Sequence, residues 1–178
     1  MEIPTICGLN SVADERGEVA RLFQAEDFNS MDLQHNYVLS VLNYRKGTVR
    51  GMHMQVEPHA EKKRLTVIEG SILDVLIDLR PESATYGSAY TCLLSATNPA
   101  VLTVPEGFAH GYQTMSSNSR VLYLISGQYA PDHARVFDPL SALIFPIWPL
   151  PVTTISDSDR EGAELPFTKL TFHDLRSK

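Results

Sequence analysis

Short runs of β-forming residues, each closed by a turn former, are the feature that most constrains the fold of this chain. Between residues 37 and 129 these runs are rich in Val, Ile, Leu, Thr and Tyr and are bounded by Gly, Pro, Asn or Ser. Runs of this length and spacing, with little helical period, are typical of an all-β sandwich or barrel. The clearest runs are YVLSVLNY, RLTVIEG, SILDVLIDL, YTCLLSA, VLTVP and RVLYLISGQY.

The segments between and after these runs predict turns and loops. Gly70, between two runs, predicts a hairpin turn because glycine takes up the positive φ angles that tight hairpins need. The stretch SATNPA at 95–100 predicts a second turn, and residues 25–33 a short helix. The proline-rich segment 131–166 is expected to wrap the barrel as loops and short turns. Residues 168–178 have no pattern that indicates structure.

Length and composition predict one globular domain over residues 1–178. The chain is 43% hydrophobic and 20% charged, and its net charge of −6 argues against a nucleic-acid-binding protein. The first residues lack a basic segment followed by an apolar one, and no apolar stretch approaches the ~20 residues of a membrane helix. Two cysteines, Cys7 and Cys92, form no disulfide framework or zinc-ligand spacing. A cytoplasmic protein is expected, with no membrane partner.

Two segments match parts of the motifs through which cupin barrels supply metal ligands. Gly47, followed by five residues and His53, matches the start of the first motif. Pro105, Gly107 and His110, in the spacing P-x-G-x-x-H, match the centre of the second. We therefore predict an all-β, cupin-like jelly-roll barrel (a double-stranded β-helix) with a few short helices, and both histidines directed into it.

The same motifs lack a complete set of metal ligands. The next ligand position holds Gln55, and the acidic residue comes one position late, at Glu61. A divalent transition metal needs about three or four N, O or S ligands, and a neutral amide is a poor substitute for imidazole. We therefore predict no metal and assign His53 and His110 to acid–base chemistry near neutral pH. The alternative for each is a hydrogen-bonded histidine of the core.

Arg50 lies three residues before His53, so strict alternation along a strand would place the two side chains on opposite faces. A β-bulge at Gly51 would bring them to the same face. An Arg, Gly and His together at a strand end favour a pocket for a charged ligand over a hydrophobic core.

Eight spaced segments follow one another over roughly residues 13 to 160. They are DERG at 14–17, GTVRGMHMQ at 47–55, PHAEKK at 58–63, DVLIDLRPES at 74–83, VPEGFAHG at 104–111, YAP at 129–131, IWP at 147–149 and ISDSD at 155–159. Together they resemble the dTDP-4-dehydrorhamnose 3,5-epimerase family, and spaced motifs in one order are more specific than any single one. The resemblance implies a jelly-roll homodimer that needs no metal or cofactor. It also implies inversion of carbons next to the ketone of a nucleoside-diphosphate 4-keto-6-deoxy sugar.

The resemblance also implies roles for individual residues in the reaction. His53 resembles the general base, and Asp159 resembles the carboxylate that orients it. Lys63 resembles the cation beside the enolate oxygen, and Tyr123 the acid that returns a proton on the opposite face. These residue types suit the chemistry, because a proton next to a ketone is removed at neutral pH only if the enolate is stabilised as it forms. By composition alone, Lys63 reads as a solvated strand end and Tyr123 as a core aromatic.

A second set of residues is implied to bind the substrate. His110, with Asp74 as its partner, resembles the second histidine of the pocket. Arg50 resembles a phosphate or sugar ligand, and Arg16 the arginine that reaches the pyrophosphate from the neighbouring subunit. Two further substrate ligands are expected at Gln55 and Tyr129.

Other positions depart from the family pattern. The strand before Arg50 is expected to be polar, whereas either register places Leu39 or Val41 there. Further departures are Met54, Leu124 and Gln128. Retained acid–base residues with altered binding positions favour the same chemistry on a changed sugar, nucleotide or regiochemistry. Two alternatives remain: a metal-dependent cupin enzyme, such as a dioxygenase or isomerase, and a non-catalytic sugar-nucleotide-binding module.

Overall fold

The computed structural model describes residues 1–23 and 37–175, and most of the regular structure in these residues is β-strand. The short helix expected at 25–33 lies outside the described residues. A helical turn, α1, spans Asp157–Arg160, and 3-10 turns span Pro131–His133 and Phe145–Ile147. The strands are β1 (Thr5–Gly8), β2 (Ser11–Asp14), β3 (Gly17–Ala20), β4 (Tyr37–Asn43), β5 (Val49–Gln55), β6 (Lys63–Glu69), β7 (Ser71–Asp78), β8 (Ser88–Ser95), β9 (Ala100–Val104), β10 (Phe108–Thr114), β11 (Ser119–Ile125), β12 (Ala134–Val136) and β13 (Thr171–Asp174).

Two sheets form the barrel, and the chain crosses repeatedly between them. A five-stranded sheet has the order β1-β9-β6-β11-β4, and a six-stranded sheet has the order β12-β5-β10-β7-β8-β13. From β4 to β12 only β7 and β8 are consecutive strands of the same sheet. This alternation is the topology of a jelly roll, which confirms the predicted fold class. In residues 1–23 and 37–175, no helix is both long and apolar enough to cross a membrane.

The hydrophobic core has two layers. Between the sheets, Leu65 and Val121 of the five-stranded sheet pack in one cluster with Leu76 and Phe108 of the six-stranded sheet. The outer face of the six-stranded sheet forms a second cluster with residues from the segment after β12, including Trp148. The proline-rich segment therefore wraps the barrel, as its composition predicts.

The turn predictions have different outcomes. The hairpin predicted at Gly70 is wrong, because β6 and β7 belong to different sheets. Gly70 has a φ of +71°, and a Cβ there would lie 2.5 Å from the Ser116 hydroxyl oxygen, so glycine is needed where the chain crosses between sheets. The turn at 95–100 is confirmed between β8 and β9. The C-terminal segment, which had no pattern, adds β13 to β8 as a parallel edge strand.

Candidate active site

A bulge in β5 places Arg50 and His53 on the same cavity. His53 is the Cα partner of His110 on β10, whereas Arg50 is the partner of Tyr112, so β5 carries one extra residue between the two pairs. Both Arg50 and His53 line a cavity of about 200 Å³. A Cβ on Gly51 would lie 2.5 Å from the Gly111 Cα, so the close approach of the two strands requires glycine. A bulge at Gly51 was the condition under which Arg50 and His53 could share a face, and β5 meets it.

His53 is held by a carboxylate from a distant part of the chain. Its Nε2 lies 2.7 Å from Asp159 Oδ1, and Asp159 Oδ2 accepts a hydrogen bond from the Gly51 amide at 3.2 Å. Ser156 caps α1 by accepting from the Asp159 amide, which fixes the carboxylate in the first turn. The Asp159 side chain is buried, whereas that of His53 is 46% exposed. One face of the imidazole is therefore available to a ligand.

Burial raises the pKa of Asp159, but its interactions outweigh that effect. The hydrogen bond and charge of His53, with the hydrogen bonds of the Gly51 amide and Ser156, bring the Asp159 pKa below its ordinary value. Asp159 is therefore an anion at neutral pH. An anion in this position stabilises the protonated imidazole that forms when His53 accepts a proton.

A second histidine–carboxylate pair lies deeper in the barrel. His110 Nε2 is 2.9 Å from Asp74 Oδ2, and both side chains are almost fully buried. Burial raises the pKa of Asp74 above its ordinary value, because it outweighs the opposite effects of His110 and Lys63. The His110 ring meets that of Tyr123 edge to face, with centroids 6.1 Å apart.

Tyr123 comes from the wall opposite His53. It lies on β11 of the five-stranded sheet, whereas His53 lies on β5 of the six-stranded sheet, and both line the same cavity. Burial, followed by the effects of Tyr112 and Asp74, raises the pKa of Tyr123 well above its ordinary value. The phenol is therefore protonated at neutral pH, and it faces His53 across the cavity from the other sheet.

Lys63 supplies a buried cation to the same cavity. It begins β6, lines the cavity and forms an ion pair with Glu61, whose Oε1 is 2.9 Å from its Nζ. Both side chains are largely buried. A compact ammonium group in such an environment interacts strongly with negative charge that develops nearby.

Two residues of the site were not predicted from the sequence. The Asn43 side-chain oxygen accepts from Arg50 Nε at 2.7 Å, and its Nδ2 donates to the Tyr112 hydroxyl at 3.2 Å and the Ser119 carbonyl at 3.1 Å. Burial is the main cause that raises the pKa of Tyr112 to about 12. Asn43 could have been identified in the sequence as the polar residue that ends an apolar strand. Tyr112 could have been identified because it lies two residues after His110 on the same strand, and therefore on the same face.

Comparison with known proteins decides the family. A family model for dTDP-4-dehydrorhamnose 3,5-epimerase matches residues 4–166. The chain belongs to the dTDP-4-dehydrorhamnose 3,5-epimerase family. It is therefore an isomerase of the carbohydrate-epimerase type, as the resemblance implied.

Individual relatives in the epimerase family cover most of this chain. The dTDP-4-dehydrorhamnose 3,5-epimerase of Sinorhizobium fredii is 35% identical over 162 residues, which are 86% of this chain and 82% of the relative. The Shigella flexneri enzyme is 32% identical over 155 residues, which are 84% of this chain and 83% of the relative. The solved structure of the Legionella pneumophila dTDP-6-deoxy-D-glucose-3,5-epimerase, in complex with dTDP-4-keto-L-rhamnose, is 26% identical. It has a TM-score of 0.80 and covers 90% of this chain and 87% of that one.

Gln55 of this epimerase binds backbone atoms outside the cavity that His53 lines. Its side-chain oxygen accepts from the Ala130 amide at 2.6 Å, and its Nε2 donates to the carbonyls of His59 at 3.0 Å and Gln128 at 3.2 Å. It borders a larger, open groove of about 910 Å³, which none of the histidine–carboxylate pairs lines. The role of Gln55 as a substrate ligand stays a prediction.

Among residues 1–23 and 37–175, no three His, Cys, Asp or Glu residues are grouped as a metal site.

Arg16 and Tyr129 lie away from the cavity in this chain. Arg16 is in the β2–β3 turn, where its Nε donates to Asp14 Oδ1 at 3.1 Å, and the side chain is exposed. Tyr129 follows β11 and is 62% exposed. The contacts of Arg16 and Tyr129 with substrate remain predictions. The contact predicted for Arg16 is with substrate bound to a second subunit.

Proposed function

We propose that this epimerase inverts C3, or C3 and C5, of a nucleoside-diphosphate 4-keto-6-deoxy sugar. The observation that carries the proposal is the placement of His53, with Asp159 behind it, and Tyr123 on opposite walls of one cavity. Inversion needs a base on one face of a carbon and an acid on the other. The names of the relatives, and the dTDP-4-keto-L-rhamnose bound to the Legionella enzyme, support this class of substrate.

In the proposed first step, His53 removes a proton from the carbon next to the ketone. Because Nε2 is engaged by Asp159, the other ring nitrogen, Nδ1, is the one that accepts this proton. The electron pair of the broken C–H bond moves onto the ketone oxygen, which becomes an enolate. Lys63 lies on the same cavity and stabilises this oxygen through its positive charge.

In the second step, Tyr123 returns a proton to the opposite face of the same carbon. Its raised pKa keeps the hydroxyl protonated until the enolate forms. The carbon is then inverted, and the cycle closes when Tyr123 regains a proton and His53 loses one. His110 is proposed to bind the sugar, because it lines the same cavity and contacts the Tyr123 ring. Asp74 orients it by binding its Nε2 atom.

The proposed anchors for the diphosphate are Arg50, which lines the cavity, and Arg16, from a second subunit.

The β2–β3 hairpin that carries Arg16 also has an apolar surface. Val12 and Val19 on this hairpin are 77% and 76% exposed. Apolar side chains with this exposure suit packing against another copy of the chain. In sedimentation experiments, we expect a dimer that Val12→Asp weakens, with a raised KM. A wild-type monomer with full activity would contradict the dimer.

The cytoplasm is the proposed compartment. Cys7, which is exposed, and Cys92, which is buried, are both free thiols, as is usual where the environment is reducing. After fractionation of source cells, an antibody against the chain should detect it with cytoplasmic enzymes. Detection in the extracellular fraction would contradict this compartment.

Solvent deuterium exchange tests the proposed reaction. The purified protein is incubated in deuterium oxide with the 4-keto-6-deoxyglucose derivatives of thymidine, cytidine and guanosine diphosphate, and the sugars are followed by NMR. We expect deuterium at C3, or at C3 and C5, with inversion for at least one nucleotide. Binding without exchange would instead indicate a sugar-nucleotide-binding module, and no exchange with any of them would overturn the proposal.

A further inference from the structure

Tyr112 has a hydroxyl group inside the proposed active site, and the steps proposed for His53, Lys63 and Tyr123 do not use it. Tyr112 lies on β10, is buried, and lines the same cavity as these residues. Tyr123 lies on β11 of the other sheet, and its side chain shares a hydrogen bond with that of Tyr112. Because a phenol is both a donor and an acceptor, a proton can pass from one hydroxyl group to the other.

The Tyr112 hydroxyl group is also connected to a cation. Arg50 Nε donates to Asn43 Oδ1 at 2.7 Å, and since a guanidinium group only donates, this contact identifies Oδ1 as the acceptor. Asn43 Nδ2 then donates to the Tyr112 oxygen at 3.2 Å. The Tyr112 hydrogen has two acceptors, Asn43 Oδ1 at 3.3 Å and the Tyr123 oxygen, and rotation about the C–O bond moves it between them. When it points to Tyr123, the donors run in one direction, from Arg50 to the proposed acid.

A negative charge is better placed on Tyr112 than on Tyr123. Burial raises the pKa of Tyr112 to about 12, whereas the Asn43 hydrogen bond and the charge of Arg50 lower it. The carboxylates that oppose its ionisation are those of Asp74 and Asp159. Burial also raises the pKa of Tyr123 well above its ordinary value, and the interaction with Tyr112 raises it further. Of the two phenols, Tyr112 therefore loses its proton more readily.

His110 also contacts Tyr123, but in a geometry that does not suit proton transfer. The two rings meet edge to face, with centroids 6.1 Å apart, and His110 Nε2 is bound to Asp74. The contact of Tyr123 with Tyr112 is instead a hydrogen bond between side chains. Tyr112 is therefore better placed than His110 to supply a proton to the Tyr123 oxygen.

We propose that Tyr112 is a second proton carrier, which reprotonates Tyr123 as the sugar carbon is inverted. This inference rests on the proposed function, in which Tyr123 is the acid. As the O–H bond of Tyr123 breaks and the new C–H bond forms, the Tyr112 proton moves to the Tyr123 oxygen. The electron pair of the Tyr112 O–H bond stays on the Tyr112 oxygen, which accepts a hydrogen bond from Asn43. After the product leaves, water returns a proton to Tyr112 and His53 releases the proton that it took, so no net proton is consumed.

Tyr112→Phe tests this role, because it keeps the ring and removes only the hydroxyl group. We expect single-turnover inversion at C3 to slow by about 10- to 100-fold, the effect of losing one hydrogen bond to a charged group. The rate of C3 deuterium exchange and the KM should stay at wild-type values, because His53 and Lys63 are unchanged. Tyr90→Phe is the matched control, because Tyr90 is also buried but does not line the cavity.

A conservative replacement separates proton transfer from a structural role. With 3-fluorotyrosine in place of Tyr112, the hydroxyl group is restored with nearly the same size but is more acidic. Inversion should return, and the alkaline pH at which it is lost should be lower than in the wild-type protein, because the donor must be protonated. If that pH does not change, Tyr112 donates no proton and the inference is overturned.

The outcomes separate the inference from the function on which it rests. Wild-type inversion by folded Tyr112→Phe, judged by circular dichroism, overturns the inference and leaves the epimerase function intact. If inversion, exchange and KM instead all worsen together, Tyr112 acts by holding Asn43 and Arg50, and the inference is also overturned. If Tyr112→Phe does not fold, the fluorinated protein decides. If the wild-type protein exchanges no sugar, the proposed function itself fails, and the inference fails with it.

Discussion

Asp159 lies 2.7 Å from His53 although 106 residues separate them in the chain. The carboxylate reaches the imidazole because the segment after β12 wraps the outside of the six-stranded sheet and ends in α1, whose first turn faces β5. The wrapping segment therefore completes the His53–Asp159 pair as well as covering the core.

Asp159→Asn should abolish most of the activity. The amide cannot stabilise the protonated form of His53, and the loss in kcat should be about 10⁴-fold, as in other histidine–aspartate pairs. Asp157→Asn is the matched control, since Asp157 is exposed in the same helical turn. Exchange kinetics by NMR check this, and near-wild-type activity of a folded Asp159→Asn protein would rule out the assigned role.

Tyr123→Phe should separate exchange from inversion. His53 can still remove a proton and return solvent deuterium to the same face, whereas delivery to the opposite face is lost. Inverted product should fall by about 10²- to 10⁴-fold, the usual contribution of a positioned acid. Tyr90→Phe serves as the control because Tyr90 is equally buried and does not line the cavity. Inversion at the wild-type rate would exclude Tyr123 as the acid.

Lys63→Met should slow both exchange and inversion. Without the ammonium group, the enolate loses its stabilising charge, and kcat should fall by about 10²- to 10³-fold. Lys62→Met is the adjacent control, because Lys62 pairs with Glu2 at 2.8 Å and lies outside the cavity that His53 lines. If the two variants lose activity equally, Lys63 has no special part in the reaction.

Acid should destabilise the fold through Asp78. Its side chain is buried, and although burial opposes ionisation, hydrogen bonds from Arg80, Thr85 and Ser83 lower its pKa to about 2 from 3.8. Because the pKa of Asp78 is lower in the folded state than in the unfolded state, its ionisation stabilises the fold at any pH above the unfolded-state pKa. At 1.36 kcal/mol per pKa unit, this contribution to the free energy of unfolding is about 2 kcal/mol. It is lost as the pH falls from about 4 to about 2.

Urea denaturation at a series of pH values measures the free energy of unfolding for this test. The wild-type protein should lose stability through that window, whereas Asp78→Asn should be less stable at neutral pH and show a smaller loss on acidification. The prediction fails if both proteins have the same pH dependence.

Local sequence signals predicted some features of the site and missed others for a physical reason. In RGMH at 50–53, strand alternation allowed Arg50 and His53 to share a face only if the strand had a bulge at Gly51, and the structure has that bulge. The hairpin at Gly70 was predicted wrongly, because a turn with glycine has the same local sequence whether the next strand pairs with the previous one or crosses to the other sheet. β13 gave no signal, since its four side chains are exposed and no burial pattern marks it.

Contacts that depend on the path of the whole chain were beyond local patterns. The Arg50–Asn43–Tyr112 network joins three strands, so no spacing in the sequence reveals it. The family resemblance supplied Asp159, which lies 106 positions after His53 in the sequence. The sequence showed Leu39 as an apolar residue, but its position beside Tyr123 depends on the register of β4 on β11.

The central claim is that His53 removes the proton next to the ketone, and His53→Ala tests it most directly. The measurement is the rate of deuterium incorporation at C3 under single-turnover conditions. His59→Ala is the control, since the His59 ring contacts that of His133, with centroids 4.6 Å apart, and does not line the cavity. The account predicts that His53→Ala binds the nucleotide sugar and stays folded but incorporates no deuterium, while the control exchanges normally. Exchange by His53→Ala at the wild-type rate would contradict it.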